Sequence, residues 1–82
     1  MWNFASQETV EISPRFRKSL EDRIVRLERD ADADEMLISH LKHPDHIRRQ
    51  RRLVAAERTE ALRMRIFLDR AGTRMPSPLI AL

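Results

Sequence analysis

The residues best equipped for chemistry sit in the middle of this 82-residue chain, where His40, His43 and His46 are its only histidines. Their H-x-x-H-x-x-H spacing suggests a metal site, because neutral imidazole is a common ligand for zinc, nickel or copper. Pro44 lies between them and breaks the helical repeat that would bring three rings to one point. The competing reading, which we adopt, is an exposed polar turn in which His40 and His43 favour the negative end of a preceding helix.

Arg48, Arg49, Arg51 and Arg52 form the densest basic cluster, and with Arg58, Arg63 and Arg70 they extend along one segment. Such a face could track the phosphates of RNA or DNA. No aromatic residues are interleaved for base stacking, no recognised nucleic-acid motif is present, and nearby acids can neutralise several guanidinium groups.

Asp34 is a third candidate, a carboxylate on an otherwise apolar stripe where a catalytic acid could sit. The alternative is a register-setting pair with Arg51 or Arg58, or a solvated notch at a kink. Asp30, Asp32 and Asp34 alternate as at the start of a calcium loop, but Glu35 and Leu41 occupy the sixth and twelfth positions, where Gly and Glu are required. No Ser-His-Asp arrangement, glycine-rich phosphate loop or paired-acid site is visible, and the absence of cysteine removes thiolate chemistry. We expect no catalytic activity and no cofactor.

These side chains must be positioned by helices. One glycine, no tyrosine and few valines argue against a sheet protein. Ser13 is a good N-cap and Pro14 suits the first helical position, which starts a first helix. Phe16, Leu20, Ile24, Leu27, Ala31, Ile38 and Leu41 then recur on one face, with Leu37 beside them, and predict a helix over about 14–42. The Asp30 to Glu35 run is its weak section, where a break or kink is expected if anywhere. Pro44 should end it, with Asp45 capping a second helix over about 46–71 and Gly72 in the left-handed position after its end. Ile47, Val54, Ala61 and Leu68 repeat at seven, flanked by Leu53, Met64 and Ala71 on one side and by Leu62 and Ile66 on the other.

Outside this hairpin, expected over 13–72, residues 1–12 form an N-terminal arm carrying Trp2 and Phe4. Residues 73–82 form a proline-containing tail that ends in Leu79-Ile80-Ala81-Leu82, an apolar tip suited to a partner's groove or to the protein's own bundle. No stretch is long and apolar enough for a membrane span, and no leader is visible, so a cytoplasmic protein is expected.

The charge is split. Residues 1–46 carry seven basic and ten acidic side chains, whereas residues 47–82 carry nine arginines and three acids, which together give the overall +3. Helices joined by so short a turn should lie antiparallel, with facing residue numbers summing to about 88. Asp34 and Glu35 would then meet Arg51 and Arg52, and Asp30 would meet Arg58.

The stretch Leu20-Glu-Asp-Arg-Ile24, Arg26-Leu-Glu28, Asp34-Glu35 and Leu41-Lys42 resembles the small bacterial YdcH-like helical hairpins. It departs where that family continues Lys-rich, since His43-Pro-Asp45 intervenes and Arg dominates afterwards. The resemblance implies a short helical hairpin of uncharacterised function and no site residue.

The expected fold is therefore all-α: an antiparallel two-helix hairpin, assembled as a homodimeric four-helix bundle with coiled-coil character or docked on another protein, because one hairpin buries only part of each stripe. Its expected role is a protein-interaction or adaptor module. The expected interface comprises Trp2, Phe4, Phe16, Leu20, Ile24, Leu27, Ile38, Leu41, Ile47, Val54, Met64 and Leu68. The alternative is a nucleic-acid-binding regulator acting through Arg48, Arg49, Arg51 and Arg52.

Overall fold

The computed structural model describes residues 10–73. Strand β1 (Glu11–Ile12) leads into helix α1 (Pro14–Leu37), a single 3₁₀ turn (Ile38–His40) follows, and helix α2 (Pro44–Arg70) runs into strand β2 (Gly72–Thr73). The two helices pack against each other as an all-α hairpin. Neither is long and apolar enough to cross a membrane. Trp2, Phe4 and the Leu79 to Leu82 tip lie outside the described residues.

Helix α1 begins as its sequence dictates. The Ser13 hydroxyl accepts the Phe16 N–H at 3.1 Å, and Pro14 occupies a position whose amide would have no partner. The helix runs unbroken through Asp30 to Glu35, against the expectation of a kink, because Ala31 is fully buried and lets α2 approach closely there. It ends earlier than Lys42. The Ser39 hydroxyl donates to the Met36 carbonyl and the Leu41 N–H to the Ile38 carbonyl, tightening the last turn before Leu41 becomes extended.

Helix α2 begins two residues before the expected start. Pro44 opens it rather than only ending its predecessor, and His43 is the cap in place of Asp45: its Nδ1 accepts the Asp45 N–H at 3.1 Å. A proline tolerates the first helical position because the amide it lacks is an orphan there. Asp45, in the first turn, instead meets the positive end of the helix and pairs with Arg48. At the other end Gly72 has no positive φ. Ala71 is already extended, and the Gly72 N–H donates to the Val10 carbonyl at 2.9 Å, so the chain continues into β2 without a left-handed turn. Glu11 pairs with Gly72 and Ile12 with Thr73 in parallel, which ties the two ends of the hairpin together.

The core lies between the helices and under this strand pair. Ile12, Ile24, Ala61 and Leu68 form its buried cluster, with Leu20, Leu27, Met64 and Ala71 packed around it, and Ala31 and Val54 are buried further along the seam. Buried positions repeat at seven residues on both helices, as Ile24 and Ala31 do on α1 and Val54, Ala61 and Leu68 on α2. Polar Asp34, Gln50 and Glu57 occupy half-buried positions at the intervening three- and four-residue steps.

Candidate functional site

The seam divides the surface of the hairpin into two flanks of different chemistry. Glu21, Glu28 and Glu35 on α1 each follow a seam position by one residue, as do Arg51, Arg58 and Arg65 on α2. Two of these acid–arginine matches are made. Arg65 donates through Nε and Nη2 to both carboxylate oxygens of Glu28, at 2.8 and 2.7 Å, and Arg58 bridges Glu35 and Asp32, the latter at 3.2 Å. The bidentate Arg65 fork holds the Glu28 carboxyl below the usual glutamate range and raises its own guanidinium.

Because those two lines meet on one side of the seam, the residues that precede each seam position border it on the other side. On α1 these are Phe16, Arg23, Asp30 and Leu37; on α2 they are His46, Leu53, Glu60 and Phe67. Phe16 and Leu37 are about half exposed, at 48% and 50%, and Leu53 and Phe67 stand at 44% and 37%. No side chain of the described residues covers them further. Other exposed apolar groups are scattered, with Val25 and Leu62 near the charged flank and Met36 and Ile66 on the outer faces.

The expected interface residues divide accordingly. Leu20, Ile24, Leu27, Val54, Met64 and Leu68 lie inside the hairpin's own seam, and Ile38, Leu41 and Ile47 are half-buried close to the turn. Phe16 is the one member of that group among the described residues that remains exposed. Leu37, Leu53 and Phe67 complete the apolar flank. They fall on seven-residue steps offset by one from the seam, but Arg23, Asp30 and Glu60 occupy the steps between, so no apolar repeat marks them in the sequence.

The electrostatic expectations shift along the helices. Asp34 pairs with neither Arg51 nor Arg58. Its backbone carbonyl accepts the Gln50 Nε2 at 2.8 Å, and its carboxyl faces Glu57 across the seam. Burial first, then the facing Asp34 and nearby Asp30, push the Glu57 carboxyl up, and Arg58 only partly opposes them. One Glu57 carboxylate oxygen is buried with no hydrogen-bond partner among the described residues. Arg58, expected beside Asp30, reaches Asp32 and Glu35 instead. Helical side chains lean toward their own N-terminus, which on α2 carries a long guanidinium toward the turn rather than straight across the seam.

Arg48, Arg49, Arg51 and Arg52 are all exposed. Arg48 pairs with Asp45, whereas the other three make no ion pair among the described residues, so the expected neutralisation of Arg51 and Arg52 by α1 does not occur. At the turn, the rings of His43 and His46 lie 4.8 Å apart and tilted by 33°, with His43 Nδ1 engaged as the helix cap. Among the described residues no group of three His, Asp or Glu side chains could hold a metal ion. Comparison with family models, curated proteins and solved structures finds no match to this chain.

Proposed function

We propose that this chain is a protein-interaction module, an antiparallel coiled-coil-like hairpin without catalytic activity that works by docking one flank of its seam against another helical surface. The observation that carries this reading is the set of Phe16, Leu37, Leu53 and Phe67, large apolar side chains left 37–50% exposed toward the two ends of one flank, with Arg23, Asp30 and Glu60 between them. Large apolar side chains left partly in water beside charged ones suit a contact surface, and covering them returns about 25 cal/mol for each Å² removed from water. The sparse core supports the same reading, since two alanines occupy its most buried positions.

A second reading is favoured by one specific observation. Arg49, Arg51 and Arg52 are exposed and unpaired within the described residues, leaving positive charge that a phosphate backbone would satisfy.

Light scattering coupled to size exclusion, on nucleic-acid-free protein and again with a short RNA and a DNA duplex, separates the two. A mass above one chain that is indifferent to both nucleic acids supports the interaction module. A single-chain mass that grows only with RNA or DNA, with an affinity that falls steeply with salt, overturns it in favour of the arginine cluster.

A further inference from the structure

We infer that Asp34 and Glu57 are a proton-operated latch in the middle of the seam: one proton held between their carboxyl groups closes it, and loss of that proton loosens it. The inference goes beyond the interaction reading and does not depend on what docks against the apolar flank.

Packing is thin where the two residues meet. Toward the strand pair the helices share the buried cluster of Ile12, Ile24, Ala61 and Leu68, and toward the turn Ile38, Leu41 and Ile47 are half-buried. Between those regions only Ala31 and Val54 are buried, and Asp34, Gln50 and Glu57 take the half-buried positions beside them along the repeat. Small apolar side chains return little on burial, so polar contacts have a large share in holding α1 to α2 at this level.

One of those contacts needs no proton, because the Gln50 Nε2 donates to the Asp34 main-chain carbonyl at 2.8 Å. The other does. An ionised carboxylate only accepts hydrogen bonds, so two of them facing each other leave both without a donor. That shortage is visible in the Glu57 Oε1, which is buried with no hydrogen-bond partner among the described residues.

No neighbouring cation supplies what is missing. On α2, Arg58 is drawn to Asp32 and Glu35, and Arg51 makes no ion pair among the described residues. On α1, Asp30 adds a third acid near Glu57. The 3₁₀ turn carries His40, which is exposed and makes no ion pair among the described residues, and Glu11 of β1 lies at the other end of the hairpin beside Gly72. Among the described residues no group of three His, Asp or Glu side chains could hold a metal ion there instead.

A single proton resolves the arrangement. The protonated Glu57 carboxyl becomes a donor, Asp34 accepts, and a charge-assisted hydrogen bond replaces two like charges across the seam. Burial, then the facing Asp34 and Asp30, raise the Glu57 carboxyl, which is the direction such a pair requires. The folded chain therefore holds this proton more tightly than the unfolded chain, so the latch closes as pH falls through the raised value and is open above it. Below 4.5 the unfolded chain is protonated as well, and the gain grows no further.

NMR titration of the side-chain carboxyl carbons in the full chain reads each group separately. A shared proton should make the Asp34 and Glu57 carbons shift together in one step above 4.5, and Asp34→Asn should lower the Glu57 step by removing the facing charge. Amide hydrogen exchange reads the closure itself. Protection at 31–34 and 54–57, relative to that at Ile24 and Leu68, should rise as pH falls from neutral toward 4.5, by up to about tenfold for each pH unit that the carboxyl is raised. Glu57→Gln supplies a permanent N–H donor of the same shape. It should keep the helix content in circular dichroism, hold this protection high throughout and abolish its pH dependence. A Glu57 step at or below 4.5 overturns the inference, as does a step that Asp34 neither shares nor influences, which is burial acting alone. Protection that rises equally along the whole hairpin overturns the latch as a local device.

Discussion

On one flank of the seam, acids of α1 find arginines of α2; on the other, phenylalanine and leucine stand half in water. Both flanks are built by the same seven-residue repeat, displaced by one position to either side of the buried line. Exposed ion pairs contribute little stability individually. What they carry is specificity: the Glu28–Arg65 fork and the Glu35–Arg58 bridge hold α1 and α2 in one register. The apolar flank has the opposite character, with little to say about register inside one chain and much to gain from being covered.

The most damaging change should be to the seam on which both flanks depend. Leu68→Ala removes buried side-chain volume beside Ile24 and Ala61 and should cost about 3 kcal/mol, read as a lower midpoint in urea by circular dichroism. Phe67→Asp tests the apolar flank alone. It should abolish any mass above one chain in light scattering, while the folding midpoint moves by no more than about 1 kcal/mol because the side chain is already partly exposed. An equally stable assembly after this change would show that the flank is not the contact.

Ser13→Ala serves as a comparison that touches neither flank. Loss of the hydroxyl that caps α1 should cost about 1 kcal/mol and leave the associated mass unaltered.

Glu57 and Glu28 should respond to pH in opposite directions, one in the seam and one on the charged flank. The folded hairpin raises the Glu57 carboxyl above its ordinary 4.5, so folding favours the protonated form there. Its penalty is greatest above the raised value and is relieved as pH falls through that value toward 4.5. Glu57→Gln should therefore raise the melting temperature at pH 7 and flatten this acid-side gain. Glu28 is held below 4.5, so its contribution is present above that pH and is lost as pH falls through the lowered value. Glu28→Gln should have the smallest effect of the series, disappearing in high salt, because the pair is exposed to solvent.

Much of the fold was legible from short-range chemistry. Ser13-Pro14 marked the start of α1, and the apolar repeats through Ile24 and Leu68 marked the buried faces, since capping and helical period act over three to seven residues. The details around Pro44 and Gly72 were not, because each depends on a competing partner. His43 could cap α2 only once its ring turned toward the Asp45 N–H, and Gly72 avoided a left-handed turn only because the Val10 carbonyl was available from the other end of the chain.

The candidate site was less legible than the fold. Most of the apolar residues expected to meet a partner, Leu20, Ile24, Leu27, Val54, Met64 and Leu68 among them, are consumed by the hairpin itself. Hydrophobicity alone does not distinguish a seam residue from one that borders it. Asp34 was visible as an intruder, but its carboxyl neighbour Glu57 was not, because the pair is 23 residues apart and joined only through packing.

The amino-acid sequence by itself determined two helices, their buried stripes and the surplus of arginine in the second, because periodicity, capping and charge are local properties of the chain. Only the tertiary structure decided which apolar side chains remained uncovered and which arginines found acids. Both depend on axial register and on the side from which one helix meets the other, and a small shift there exchanges the partners of every long side chain along the seam.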